Sequence, residues 1–582
     1  MLAALLAMVL VALLVAPAAG AADGTAGRAS TEATATRIFL AHPAVQRWLS
    51  RYDEPRVPTS AERDATTGDW RVSVFVDGVG QVAAGRVATS GDVVEALVGP
   101  QVAWPLARGA HLGGKINDPP VWLAFSLIFL LALVDLRRPL SIRNLDVAML
   151  LGFSVYLWYF NEGRVFASAI AAAVPMLYFV GRCAWIGVTN RTGPTPRLAP
   201  VWLLVALVLF LGGFRVGLNH YGPTVLDVGY AGVIGADRLA DGDSPYGNFP
   251  VRDTGTACGP AGADGQVADW VQANGRCETA NPLGDTYGPV AYHAYLPGLA
   301  LFGWSGKWDF LPAVRFTSVL FDLLAIAGLA AVGYRYGRGR LAATLALAWA
   351  ASPFTQYASS ANTNDAIMPA LLIWGFWAAA SPSGRGAFAA LASWTKLAAL
   401  VVVPLWLTYP GVDRRTAVRF GAAFALATVA SFWFLLAGGD PLHELRVFYE
   451  RTFLIQAERS SPFSLWDWGD YRAQGLPDLA LVQRIGQGLL VVAAVAVAFV
   501  PRRKTPLQLA ALTGALLVAF QFLLTHWSGL YVAWFFPFVV LAAVAGEALG
   551  GRVPARASAP AAVPAPTAAP VVASTPVAAL RR

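Results

Sequence analysis

The sequence predicts an all-α polytopic membrane protein with a small α+β domain outside the bilayer, and three observations lead there. Hydrophobic residues fill 56% of the 582 positions and charged residues only 13%, about half the charge of an ordinary soluble domain. Apolar runs approaching or reaching the length that crosses a bilayer, about 17–25 residues, recur through most of the chain. One stretch, 35–110, instead shows short amphipathic patterns of soluble type. Twelve main runs and their neighbours predict about 11–13 membrane helices. The mean hydropathy of +0.53 agrees.

Taken in order, residues 1–22 are apolar and end in small residues, which suits either a cleaved signal peptide or an anchor helix. The α+β module is expected over 30–115. Within it HPAVQRWL (42–49) has helical spacing, and Trp70 to Phe75 and Gln81 to Val87 alternate around Asp77-Gly78, a hairpin signal. Asp92 to Val98 reads as helix or strand. Three extra membrane helices are expected over 118–200, from runs near 120–136, 146–160 and 165–187. The main transmembrane module spans 200–550, from a run at 198–218, through an outer loop at 219–311, to runs near 312–334, 341–358, 365–381, 386–409, 417–438, 485–500, 507–525 and 529–548. An Ala/Pro-rich tail, 551–582, has the composition of a disordered segment.

Five arginine- and lysine-bearing clusters lie between runs: Arg137, Arg138 and Arg143; Arg182, Arg191 and Arg197; Arg335, Arg338 and Arg340; Arg414, Arg415 and Arg419; Arg502, Arg503 and Lys504. The positive-inside rule places all five in the cytoplasm of a multi-pass plasma membrane protein. Two runs then must not cross. Residues 289–303 are short and hold Pro297. The 386–409 run carries Lys396 at its midpoint, where a charge costs roughly 3 kcal/mol to insert, so a re-entrant hairpin with Lys396 near its tip is expected. The α+β module, the 219–311 loop, NTND (362–365), the 439–484 loop and His526 fall outside the cell, and the tail inside. Arginines in short loops suit the bilayer, not nucleic acid, as partner. Cys258 and Cys277 lie on the oxidising side, where a disulfide closing about 20 residues would contribute roughly 3 kcal/mol. Three cysteines argue against a zinc cluster; no cofactor and no metal-site residues are expected, and metal dependence is left open. No GxxxxGK[ST] loop, GxGxxG fingerprint, HExxH or nucleophile elbow stands out, which disfavours a nucleotide-driven pump.

The candidate site residues lie at the outer ends of these runs. Asp227 follows the fourth run closely and opens a segment of helical spacing that could lie along the interface. It is either a general base or a solvated or helix-capping aspartate. Tyr246 (in GDSPYG) and Tyr287 (in DTYGP) could stack on a sugar ring or belong to an aromatic belt, and Asp285 is a second carboxylate beside them. Asn364 and Asp365 could bind sugar hydroxyls or cap a helix. Arg459 and Ser461, in RSSPFSLWDWG, offer a guanidinium and a hydroxyl to a phosphate, with Lys396 beneath them. His526, Trp527, Tyr531 and Trp534 could line the same cavity.

In this order, LDVGYAG, GDSPYG, DTYGP, NTND, a membrane-centred lysine and RSSPFSLW resemble the GT-C superfamily of membrane glycosyltransferases, over about 200–550. The polyprenyl-phosphate-mannose-dependent branch, similar to glycosyltransferase family 87, is the nearest in flavour. The N-terminal module looks like PepSY-type exported domains. The resemblance implies a GT-C-like fold and a lipid-linked sugar donor. It also implies inversion at the anomeric carbon, an envelope lipid, glycan or protein as acceptor, and Asp227 as catalytic base. The family's acidic pair is broken here, since Val228 follows Asp227. That puts metal coordination in doubt and leaves Asp237, Asp241 and Asp243 as substitutes. The readings from other classes are a transporter or flippase for a lipid-linked sugar and a non-catalytic scaffold. The absence of inverted repeats of broken helices weighs against the transporter.

Overall fold

The computed structural model describes residues 29–52, 57–64, 67–76, 80–103, 119–193, 199–221, 225–250, 270–271, 277–278, 281, 284–308, 310–437, 440–458, 461, 463–467 and 478–551. The expected signal or anchor, the Asp77-Gly78 turn, Cys258, the Cys277 side chain, Arg459 and the tail beyond Gly551 lie outside the described residues.

The N-terminal module is α+β. Helices α1 (Glu32–Ala41) and α2 (Pro43–Leu49) cover one face of an antiparallel sheet of β1 (Thr59–Arg63), β2 (Trp70–Val76), β3 (Gly80–Val87) and β4 (Val93–Val98), in the order 1-2-3-4. The alternation read from the sequence sets the burial. Val72, Val74 and Val76 face inward with Phe39 and Val45, while Arg71 and Phe75 face out. Residues 93–98 are strand. Strand β1 and helix α1 carry little alternation or apolar spacing and were not expected.

The membrane part is helical: α3 (Pro119–Leu133), α4 (Ile142–Asn161), α5 (Val165–Thr189), α6 (Val201–Tyr221), α7 (Asp227–Ala240), α8 (Pro289–His293), α9 (Leu296–Phe302), α10 (Pro312–Ala351), α11 (Pro353–Ser360), α12 (Ile367–Trp377), α13 (Pro382–Ser393), α14 (Val403–Leu407), α15 (Arg414–Ser431), α16 (Phe434–Ala437), α17 (Pro441–Tyr449), α18 (Ile455–Glu458), α19 (Ala480–Phe499), α20 (Pro506–Phe522), α21 (Val532–Val544) and α22 (Gly546–Gly550). Among the described residues four helices, α5, α6, α10 and α19, are long and apolar enough to cross a bilayer unaided. The other apolar runs form helices that are shorter, broken or, like the 20-residue α4, less apolar. Helix α10 is itself two segments, because Arg338 adopts φ 63° and ψ −162° within it. With its long apolar helices and many exposed large hydrophobic side chains, this is a membrane protein.

Among the described residues, Arg335, Arg340, Arg503 and Lys504 meet the loops around Asn190, Ala199 and Pro410 at one end of the bundle. Arg340 donates to Ala199 O (2.6 Å) and Arg335 to Trp377 O (2.7 Å). Asn190 donates to Gly550 O and accepts from Thr505 Oγ1. Lys504 N donates to Pro410 O, and Gly411 pairs with Arg503. At the same end buried Arg385 donates to the carbonyls of Ala379, Trp406 (3.1 Å) and Tyr409 (2.7 Å). Those last bonds tie the start of α13 to the end of α14, so the 386–409 run is a helical hairpin that returns to the end it left. Its tip is Trp394-Thr395-Lys396. Each arm is about 12 residues, near 18 Å of rise, well short of a hydrocarbon core of about 30 Å. Helices α8 and α9, five and seven residues long, cannot cross either.

Candidate functional site

Opposite the basic end, four sequence motifs converge through close backbone contacts. Helix α7 carries glycines at 229, 232 and 235, one per turn on one side. A Cβ on Gly229 would stand 2.1 Å from Asn362 O, and Cβ atoms on Gly232 and Gly235 would enter the rings of Tyr295 and Tyr292. Leu226 N also donates to Ala361 O (3.1 Å). The LDVG segment is thereby pressed onto the NTND turn. The helix is buried from Gly229 to Leu239, so the expectation that it lies along the interface is corrected. Its glycine stripe lets it sink between α8, α9 and the turn. Asp227 at its first turn is exposed. The preceding Leu226 is the cap, without a side-chain bond, and the Asp227 carboxylate accepts from Val228 N (2.9 Å).

The DTYGP loop docks on the hairpin tip in the same way. Val290 N donates to Trp394 O (2.9 Å), and a Cβ on Gly288 would lie 2.1 Å from that same oxygen. We expect Gly288→Ala to separate loop and tip and to destabilise the protein by about 1–3 kcal/mol, the usual cost of overpacking. A melting temperature unchanged in detergent would contradict that expectation.

These contacts place Lys396, 7% exposed, in an aromatic and acidic box. Its ammonium donates to Asp365 Oδ1 (2.8 Å), and Trp534 Nε1 donates to the same oxygen (2.8 Å). The rings of Trp534, Tyr287 and Tyr531 have their centroids 4.7, 5.1 and 5.5 Å from the ammonium, within cation–π range. Asp227 lies within electrostatic range of it as well. One cation therefore stands against a carboxylate and three aromatic rings contributed by three other segments, with Asp227 on a fourth. Asn364, 1% exposed, has both amide atoms buried without a hydrogen-bond partner. The cap of this turn is Thr363, whose Oγ1 accepts from Asp365 N, so Asn364 and Asp365 are not occupied as caps.

The remaining predicted residues have separate surroundings. Buried Asp285 accepts from both Arg451 Nε (2.7 Å) and Nη2, and from Gly247 N (2.8 Å). Buried Tyr246 donates to Tyr287 O (2.8 Å), and burial holds its phenol well above the usual range, so it stays a neutral donor. These two brace the Tyr287 loop. Ser461 Oγ and His526 Nδ1 share a hydrogen bond (2.9 Å), Ser461 N donates to Asp467 (2.7 Å), and the His526 ring reaches the Lys396 box through Tyr531, 6.3 Å away. Among the described residues no three His, Cys, Asp or Glu side chains converge as a metal site.

Three supporting groups went unread in the sequence. Arg451 is 166 positions from Asp285. Asn219 and Arg315, buried, hold the NTND turn from behind: Arg315 donates to Asn219 O (2.8 Å), and Asn219 Nδ2 donates to Ser359 O (3.0 Å) and Asn362 Oδ1 (2.8 Å). Asn362 sits at φ 50°, a conformation that asparagine tolerates better than most residues.

His293, on α8 below Tyr287, contacts Pro289 O through Nδ1 (2.7 Å) and accepts from Trp433 Nε1 at Nε2 (2.8 Å). That pattern requires the neutral ring. Burial lowers its pKa below the ordinary histidine value. The unfolded chain thus binds this proton more readily than the folded one, and stability falls as pH drops below about 6.5. Melting curves between about pH 7.5 and 5.5 should show this loss, and His293→Gln should flatten it.

No protein-family model and no curated protein matches the chain. Among solved structures, ArnT from Cupriavidus metallidurans bound to undecaprenyl phosphate is similar at 19% identity and a TM-score of 0.38, over 60% of this chain and 59% of its own. The chain thus spans less than two thirds of that protein.

Proposed function

We propose that the protein is a membrane glycosyltransferase of GT-C type, a hexosyltransferase working at the extracytoplasmic face of the plasma membrane. It moves mannose or a similar sugar from a polyprenyl-phosphate donor to an envelope acceptor. The observation that carries the reading is the buried Lys396–Asp365 pair set in the rings of Tyr287, Tyr531 and Trp534, with Asp227 exposed at the start of the helix that is pressed onto the same turn.

The chemistry asks for little more. The acceptor hydroxyl oxygen attacks the anomeric carbon as the bond from that carbon to the phosphate oxygen breaks. The hydroxyl proton passes to the Asp227 carboxylate, and the bonding electrons leave on the phosphate. The phosphodiester donor carries one negative charge and the departing monoester up to two, so a nearby cation stabilises the transition state more than the ground state. Lys396 has three N–H donors and gives one to Asp365, which leaves two for phosphate oxygens. Tyr287, Tyr531 and Trp534 offer faces to a sugar ring, and the buried Asn364 amide offers a donor and an acceptor to its hydroxyls. Ser461, His526 and Arg459 complete the phosphate side of this scheme.

The test is transfer from labelled polyprenyl-phosphate mannose to envelope extract by purified protein in proteoliposomes. Product that appears only with protein and donor together supports the reading. Donor that crosses the bilayer unchanged would favour the transporter.

A further inference from the structure

Helix α17 and the π-helical turn after it, Glu450–Leu454, form a surface segment with an anomaly. Its inner face packs on the Tyr287 loop. Phe448 meets Tyr246 and Phe432 with centroids 5.1 and 5.0 Å apart, Val447 touches the space beside Gly247, and Arg451 binds Asp285. The side facing away from the protein should then be polar if it met water. One edge of it is apolar instead, beside a polar edge of His443, Arg446 and Glu450: Leu442, Leu445 and Tyr449 are 79%, 46% and 51% exposed, and their spacing of three and four residues puts them in one row. His443 lies on the flank and Arg446 pairs with Glu450 beside the row (2.8 Å).

We propose that α17 lies in the plane of the membrane surface at the Lys396 end, with Leu442, Leu445 and Tyr449 seated at the boundary of headgroups and acyl chains. The bilayer is its occupant, for two reasons. The row follows an exposed apolar surface along the chain: Leu426 and Val429 in the last turns of α15 and Trp433 after it are exposed, and so are Leu301, Phe302 and Phe310. A row of three side chains is also far smaller than the 20–30 residues a side of a stable protein interface. An apolar row beside polar flanks is the pattern of an interfacial helix. Since the π-helical turn that continues this helix carries Arg451, its depth in the interface also sets where the Tyr287 loop rests over Lys396.

The experiment places one nitroxide label at a time, by Leu442→Cys, Leu445→Cys, Tyr449→Cys, His443→Cys and Glu450→Cys, in the full chain in phosphatidylcholine proteoliposomes. Labelled unsubstituted protein supplies the background of the native cysteines, and Ala425→Cys on α15 supplies the lipid-exposed reference. Oxygen should relax the labels at 442, 445 and 449 more than a water-soluble nickel chelate does, as at 425, and the order should reverse at 443 and 450. Access of nickel to all five would overturn the proposal in favour of a solvated helix. Exclusion of both reagents from 442, 445 and 449 would overturn it in favour of a covering protein chain. No sugar transfer is measured, so failure here leaves the transferase reading where it stood.

Discussion

Asp227→Asn is expected to lower sugar transfer by about 10²- to 10⁴-fold, the range over which a positioned general base contributes, while leaving the protein folded. The two halves of that expectation come from the same feature. Asp227 is exposed at the first turn of α7, so an isosteric amide removes a proton acceptor without opening a cavity. Surface changes of this kind stay within about 0.5 kcal/mol, with at most about 1 kcal/mol more from the lost charge at a helix start. Its place is fixed by backbone, since Leu226 N and Gly229 grip the NTND turn, and asparagine keeps that grip. Donor binding should persist, because the base acts on the acceptor and the phosphate is held elsewhere. Asp241→Asn and Asp243→Asn, at the exposed far end of α7, are the controls and should transfer normally. A variant Asp227→Asn that transfers at the wild-type rate would remove the base from the scheme. Loss of activity in the controls instead would move the base to the other end of the helix.

The parts of this site that the sequence made readable share a property. Each is a local break in an apolar run: a lysine in mid-run, NTND, DTYGP and the acidic residue just past a helix end. Such breaks are costly in a membrane unless paired, so each one signals itself within a few residues. The hairpin with Lys396 at its tip followed from that cost together with the arginine count of the flanking loops. What stayed hidden was which break pairs with which. Lys396 finds Asp365 across 31 positions and Trp534 reaches the same oxygen across 169, and nothing in either local pattern names the other. Asp285 shows the consequence: its ion pair with Arg451, 166 positions along the chain, left no trace in the DTYGP motif. The burial of α7 was misread for a different reason. Its apolar face suggested an interfacial helix, whereas the glycines at 229, 232 and 235 needed to be counted as contact points. They were visible all along as spacing, but their partners Tyr292, Tyr295 and Asn362 were not.

Lys396→Met should separate stability from chemistry. Asp365 is 1% exposed, and removing its ammonium partner leaves a buried carboxylate with Trp534 Nε1 as its recorded donor. Breaking one half of a buried pair costs roughly 3–5 kcal/mol, whereas replacing both halves by neutral groups is often close to neutral. The single variant should therefore melt far below wild type, and Lys396→Met with Asp365→Asn should recover most of that loss. Transfer should not recover with it. If the ammonium stabilises the charge that gathers on the leaving phosphate, both variants lose about 10²- to 10³-fold in rate, the usual effect of deleting one such donor, and donor affinity falls too. Melting curves and initial rates on the same preparations read the two effects independently. A double variant that is both stable and fully active would mean that the pair only holds the hairpin tip against the NTND turn. The cation facing the phosphate would then have to be sought elsewhere.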